Sequence, residues 1–214
     1  GGNERYDRSW VGALRELPVR PVPQSMQLFE FRTPYLVTLD VQGTSQAEYW
    51  KNHLDLIVRG SLSLINNRAA NNAQGFGQIT LSMLKNQFGY TSIDEKGFKI
   101  INRVNYRPKN TTKGFENAHF LEPGWGALAL NMEPGMYYGE GGTNFYNMAS
   151  DITVVAHELN HGFTYFHSKL FYEKQSGGLN ESFSDIAAIA ARFYAEKNPK
   201  FLIGDKLVKP DSPL

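Results

Sequence analysis

Apolar residues recur at helical spacing in several stretches of the chain and alternate with polar ones in others. From Ala47 to Ile65 the residues Trp50, Leu54, Ile57, Val58, Leu62 and Ile65 follow a helical period, with Gly60 interrupting it, and predict a helix. A second helix is expected from Asn72 to Phe88, where Phe76, Ile79, Leu84 and Phe88 share one side and Gly89 suits the carboxy-terminal cap. Ile152 to Phe166 and Asn180 to Lys197 are long, free of proline and apolar at the same period, so each predicts a helix. Earlier, the first 45 residues carry four prolines and alternating runs such as Leu36-Val37-Thr38-Leu39-Asp40-Val41, which suit strands. Phe98 to Val104 reads as a further strand, and the glycine-rich stretch from Gly124 to Gly142 reads as turns and loops. Strands first and helices later predict an α+β chain, with a β-rich lobe over residues 1–150 and a helical segment over 151–214.

Composition narrows the function. A hydrophobic content of 41% supports a buried core, and no apolar run approaches the roughly 18 residues of a membrane span. The net charge of +1, without a basic cluster, points away from nucleic acid and from anionic membranes. There is no cysteine, so any metal has to be held by histidines and carboxylates. The start at Gly1-Gly2-Asn3, with no methionine, suggests a processed, mature protein.

The metal signal lies in the third predicted helix, at His157-Glu158-Leu159-Asn160-His161. Two histidines four residues apart share one helix face, so their rings can reach one ion. Glu158 sits about 100° around the helix from His157, beside the metal, where it can take a proton from metal-bound water. A catalytic zinc takes three protein ligands and leaves one position open, and Glu181 at the start of the fourth predicted helix is the expected third. Asp185, one turn further on, can buttress a ligating histidine, the alternative being an ordinary solvated charge.

The strings His157-Glu-Leu-Asn-His161-Gly-Phe-Thr164 and Ser176-Gly-Gly-Leu-Asn180-Glu181-Ser-Phe-Ser-Asp185 resemble the thermolysin family of metallopeptidases, its vibriolysin and pseudolysin branch in particular. The resemblance runs from about Asn72 to Gly204 and is loose before that. It implies that His157, His161 and Glu181 bind zinc, that Glu158 is the general base, and that Asp185 and Asn180 support the ligands. It further implies that Tyr172 donates a hydrogen bond to the oxyanion, and that Asn117 and Ala118, in Glu116-Asn117-Ala118-His119-Phe120, hold an extended peptide by strand addition. Asn117 as a plain loop residue is the alternative. The pocket beside the scissile bond maps onto Phe145, Met148, Val154 and Ile203, implying a large hydrophobic residue after the cut. A secreted zinc endopeptidase acting on protein substrates is the expectation. Aminopeptidases share the His-Glu spacing but carry a Gly-x-Met-Glu-Asn motif, which Asn131-Met132-Glu133-Pro134 does not reproduce. The rival from another class is a zinc-binding but inactive fragment or binding protein.

Three departures from the family pattern stand out. Thr153, Arg192 and Lys200 occupy positions where relatives place carboxylates around a double calcium site, with Asp205 alone retained, so that calcium is expected to be absent and Arg192 to pair with Asp205 or Glu196. The stretch between Asn117 and the zinc helix is longer than in thermolysin and includes Leu121-Glu-Pro-Gly-Trp-Gly126, while His119 replaces an aromatic and is expected to form part of the substrate wall. Finally, nothing after Ile203 supplies the histidine and arginine of the family's carboxy-terminal helical lobe, so that lobe is largely absent and a companion chain is expected to complete the cleft.

Overall fold

The computed structural model describes residues 19–21, 28–41, 58–59, 67–109, 111–112 and 114–213. Within them seven strands form one sheet: β1 (Val19–Pro21), β2 (Leu28–Arg32), β3 (Leu36–Asp40), β4 (Val58–Arg59), β5 (Ile100–Tyr106), β6 (Ala118–Leu121) and β7 (Gly135–Gly139). The order is β1-β2-β3-β5-β7-β6, with β4 paired to β2. Strands β3, β5 and β7 run parallel, while β6 lies antiparallel to β7 at the edge. The helices are α1 (Arg68–Phe88), α2 (Trp125–Leu130), α3 (Ile152–His167) and α4 (Lys174–Ala195).

Helix α1 begins four residues before the expected Asn72, because the Asn67 side chain accepts from the Ala70 N–H as a cap. It ends at Gly89 in the left-handed conformation, as its sequence predicts. One face of α1 lies against β3 and β5, and Gly77 allows the approach, since a Cβ there would stand 2.7 Å from Leu36 Cδ2. Phe76, Ile79 and Met83 join Leu36, Ile100, Met136 and the inner face of α3 in the main core. Helix α4 stacks on α3 and α1, behind that layer.

Four expectations are corrected. The helix proposed over Ala47–Ile65 falls mostly outside the described residues, but Val58–Arg59 is strand, because its backbone pairs with Leu28 and Phe29 of β2. The strand expected at Phe98–Val104 runs two residues later at both ends. The stretch from Gly124 to Gly142 is not all loop, since it holds α2 and the fully buried β7. Helix α4 starts six residues before Asn180 and passes straight through Ser176, Gly177 and Gly178, with a Gly177 Cβ lying 3.3 Å from the Tyr172 backbone.

The outer sheet face carries a smaller core of Val41, Tyr106, Leu121 and Tyr137, covered by Ala127 of α2. His119 belongs there. Its ring stacks on Tyr137 at 5.0 Å with a 4° interplanar angle, while its neighbour Phe120 points the other way, toward Gly162 of α3. His119 therefore faces away from α3. Burial pulls its pKa down to about 4, from 6.5. The buried Arg103 guanidinium, 4.8 Å over the Tyr137 ring, is the nearby cation on this face. A depressed histidine pKa means that the unfolded chain binds the proton first. The stability of this layer should be full above about pH 6.5 and decline as pH falls toward 4, by up to roughly 3 kcal/mol. Urea unfolding from pH 7 to 4 should show that decline in the wild type and a shallower one in His119→Phe; equal slopes would refute the assignment.

Candidate metal centre

Helix α3 starts at Asp151, whose carboxylate accepts from the Thr153 N–H at 2.8 Å, and it lies close to the sheet because Gly162 has no side chain. A Cβ on Gly162 would stand 2.7 Å from Ile93 Cδ1 and 3.4 Å from both Met136 and Phe120. Glu158 lies one turn before Gly162 on that same face, so the close approach buries it against β6. His157 and His161 turn toward α4, with ring centroids 4.6 Å apart.

Glu181 of α4 meets both rings. His157 Nε2 stands 3.1 Å from Glu181 Oε2, and His161 Nε2 stands 3.6 Å from Oε1. The opposite ring nitrogens are engaged. His157 Nδ1 is 2.9 Å from Asp185 Oδ1, and His161 Nδ1 is 2.7 Å from Asn180 Oδ1. Ser184 Oγ, which the sequence reading did not single out, lies 3.1 Å from the same His161 nitrogen. Asp185 Oδ1 and Asn180 Oδ1 are acceptors, and a ring that donates its Nδ1–H to them turns an Nε2 lone pair toward the carboxylate.

In that tautomer two lone pairs and a carboxylate converge, and a cation among them relieves their repulsion. Ligand bonds of about 2.0–2.1 Å in a tetrahedron put neighbouring donor atoms roughly 3.3 Å apart, which the observed spacings match. His157, His161 and Glu181 form the one group of three such side chains close enough to share an ion among the described residues. The donor set, two imidazoles and one carboxylate with none from cysteine, suits zinc with a position left for water or substrate.

Glu158 stands beside the cluster and is buried, with no hydrogen-bond partner at Oε2. Burial, reinforced by the Glu181 charge, pushes its pKa up to about 8, while a hydrogen bond from the Phe120 backbone pulls the other way. A charged Glu158 is therefore costly in the metal-free protein, and a cation beside it offsets that cost. Tyr172 is exposed, and its hydroxyl donates to Glu181 Oε1, with its ring 5.9 Å from His161. It reaches the ligand carboxylate itself.

The expected substrate residues differ in exposure. Asn117 is exposed at the start of the edge strand, and its carbonyl accepts from the Gly139 N–H at 2.9 Å. Ala118 is half-buried and pairs with Tyr138 across the ladder. Phe145 and Val154 pack against the main core, and Met148 is buried within it. Ile203 is exposed, next to Gly204, whose Cβ position lies 4.0 Å from Val154 Cγ2.

Arg192 lies buried between α4 and the amino terminus of α3. Its Nη2 donates to Asp205 Oδ1 at 2.7 Å, as the sequence predicts, and Nε stands 3.9 Å from Glu196. The sequence reading missed its deepest partner, since Nη2 also lies 3.0 and 3.1 Å from the two oxygens of Asp151. Thr153 completes the cage, accepting from the Gly204 N–H at 2.9 Å.

Comparison with known proteins fits this geometry. The model of the thermolysin metallopeptidase catalytic domain matches residues 8–165, and that of the family's alpha-helical domain matches residues 168–213. The chain is 35% identical over 144 residues to the neutral protease of Vibrio proteolyticus, covering 67% of this chain and 20% of the relative. It is 36% identical over 145 residues to the zinc metalloproteinase of Legionella pneumophila, covering 66% and 24% respectively. A solved precursor of protealysin, a metalloproteinase from Serratia proteamaculans, superposes with a TM-score of 0.63 at 24% identity, covering 82% of this chain and 50% of that one. The chain thus spans about a fifth to a quarter of the length of these curated relatives. From the matched catalytic-domain model and these relatives, the chain belongs to the thermolysin family of metallopeptidases.

Proposed function

We propose that this chain carries the metal-binding and proton-transfer part of a zinc-dependent endopeptidase, which cuts proteins before a large hydrophobic residue. The observation that carries this reading is the pair of His Nε2 atoms turned on Glu181, with buried Glu158 beside them. Zinc at that position would polarise the scissile carbonyl and acidify the attacking water. Glu158 takes the proton that the water loses as its oxygen bonds to the carbonyl carbon. It then hands that proton to the amine as the C–N bond breaks. A carboxyl with a raised proton affinity is suited to both transfers. Tyr172 supplies an O–H at the carbonyl oxygen as negative charge builds there, and Asp185 and Asn180 hold the rings in the tautomer that exposes Nε2. Strand β6, at the edge of the sheet among the described residues, takes the extended peptide, with Asn117 and Ala118 as its anchor points. Three ligands with an open position favour this over a zinc-binding scaffold, which would close the site with four.

Two finer points belong to the same reading. The outward face of α4 exposes Leu179, Phe183, Ile186 and Phe193 at helical spacing, an apolar stripe suited to cover by the remainder of a helical lobe, in a companion polypeptide or an adjoining one. The guanidinium of Arg192 takes the place of calcium at the family's double site. The site of action is extracellular in this reading. In the protein as its host produces it, cleavage of casein and of amino-blocked peptides should be lost on chelation and restored by stoichiometric zinc. Cleavage that survives chelation, or that demands a free amino terminus, overturns the endopeptidase reading.

A further inference from the structure

The chain between the edge strand and the zinc helix folds back on itself at the turn Gly142–Phe145, where the Gly142 N–H donates to the Phe145 carbonyl at 3.0 Å. Glu116 grips this turn. One carboxylate oxygen accepts from the backbone N–H groups of both Asn144 and Phe145, at 2.5 and 2.8 Å, and the other accepts from Asn144 Nδ2 at 3.2 Å. Two consecutive backbone N–H groups on one oxygen form a small anion-binding concavity, here filled by the chain's own side chain. The grip depends on Gly142, because a Cβ there would stand 2.8 Å from Glu116 Cγ and 2.9 Å from Oε1. The backbone N–H groups, the Phe145 one first, hold the Glu116 carboxyl below the usual carboxylate range, so it is ionised at neutral pH.

The opposite side of the turn is held by the last segment of the chain. Tyr146 N–H donates to the Leu207 carbonyl at 2.8 Å, Lys209 N–H to the Asn144 carbonyl at 2.9 Å, and Lys209 Nζ to the Gly142 carbonyl at 2.5 Å. Phe145 is thus clamped between two segments: beside the backbone bond from the Gly141 N–H to the Phe115 carbonyl at 3.1 Å, the Glu116 side chain ties the turn to the residues just before Asn117 and Ala118. We infer that Glu116 is a positioning residue that sets side-chain selectivity by locking the Phe145 pocket wall in register with the substrate strand. This rests on the endopeptidase reading above. In that reading the side chain after the scissile bond meets Phe145, and the size that fits depends on where the turn holds that ring. Without the carboxylate, two backbone donors lose their acceptor, and the turn relaxes away from the strand while the metal cluster on α3 and α4 is untouched.

The test is the ratio of kcat/KM for amino-blocked peptides with Leu and with Ala after the scissile bond, measured on the wild type, Glu116→Ala, Glu116→Gln and Gly142→Ala in the protein as its host produces it. A hydrophobic pocket discriminates by tens of fold, so Glu116→Ala should lower the Leu/Ala ratio about tenfold through KM. Glu116→Gln keeps an oxygen for the two N–H groups and should recover most of the ratio, whereas Gly142→Ala, which displaces the carboxylate, should reproduce the loss. Zinc content should equal the wild type throughout. A Leu/Ala ratio unchanged in Glu116→Ala or Gly142→Ala, or lost with zinc or through kcat alone, overturns the inference while leaving the peptidase reading standing. A wild type that cleaves neither peptide overturns both.

Discussion

Glu158→Gln is expected to lower peptide turnover by about 10²–10⁴-fold while the protein keeps its zinc. The amide has the shape of the carboxylate but cannot accept the proton that the attacking water loses in the proposed mechanism. None of the three converging donor atoms belongs to Glu158, so the metal cluster keeps its full set. The substitution also removes a charge that burial and Glu181 both disfavour, so the folded metal-free protein should be no less stable than the wild type. Turnover of a blocked peptide, together with zinc measured by atomic absorption, checks both halves. A variant that retains zinc and cuts within tenfold of the wild type would remove Glu158 from the chemistry.

The largest stability effect should come from Arg192→Met. Arg192 and Asp151 are both essentially inaccessible to water, at 1% and 0% side-chain exposure. Removing the guanidinium strands the Asp151 carboxylate in the interior, which costs about 3–5 kcal/mol. The damage does not stop there, because Asp151 also caps α3 and accepts from the Lys206 N–H at 3.0 Å. Pairing the substitution with Asp151→Asn, which keeps a capping side chain but no charge, should recover part of the loss. Urea denaturation of the single and double variants measures the coupling, and additive losses would show that the pair is not interacting. Calcium added to the wild type should leave its unfolding midpoint unchanged, since a guanidinium already neutralises the cage; a tight stabilising calcium would contradict this.

The residues of the metal cluster were legible because helix periodicity converts spacing directly into direction. His157 and His161 four apart, and Glu181 with Asp185 four apart, face each other once the two helices pack, and nothing else has to be known about the fold. Groups that act through the backbone left no such trace. The Phe120 N–H on Glu158 and the two N–H groups on Glu116 are available from any residue type, so sequence does not mark them. Asp151 and Arg192 are separated by 41 residues, and only the packing of α4 on α3 brings them together. Local misreadings had local causes. Strand β7 shows no alternation because all five of its residues are buried, and its flanking glycines imitate a loop. Gly177 and Gly178 likewise imitate a linker, yet the first is needed where α4 passes Tyr172 and the second faces open space.

The tight seating of α3 at Gly162 divides the metal centre between two frames. His157, His161 and Glu158 ride on a helix held against the sheet, whereas Glu181 comes from a helix that packs on α3 and α1. An ion bound among them is then a fastener as much as a reagent, joining the second layer of helices to the first. Loss of such an ion would loosen α4 from α3.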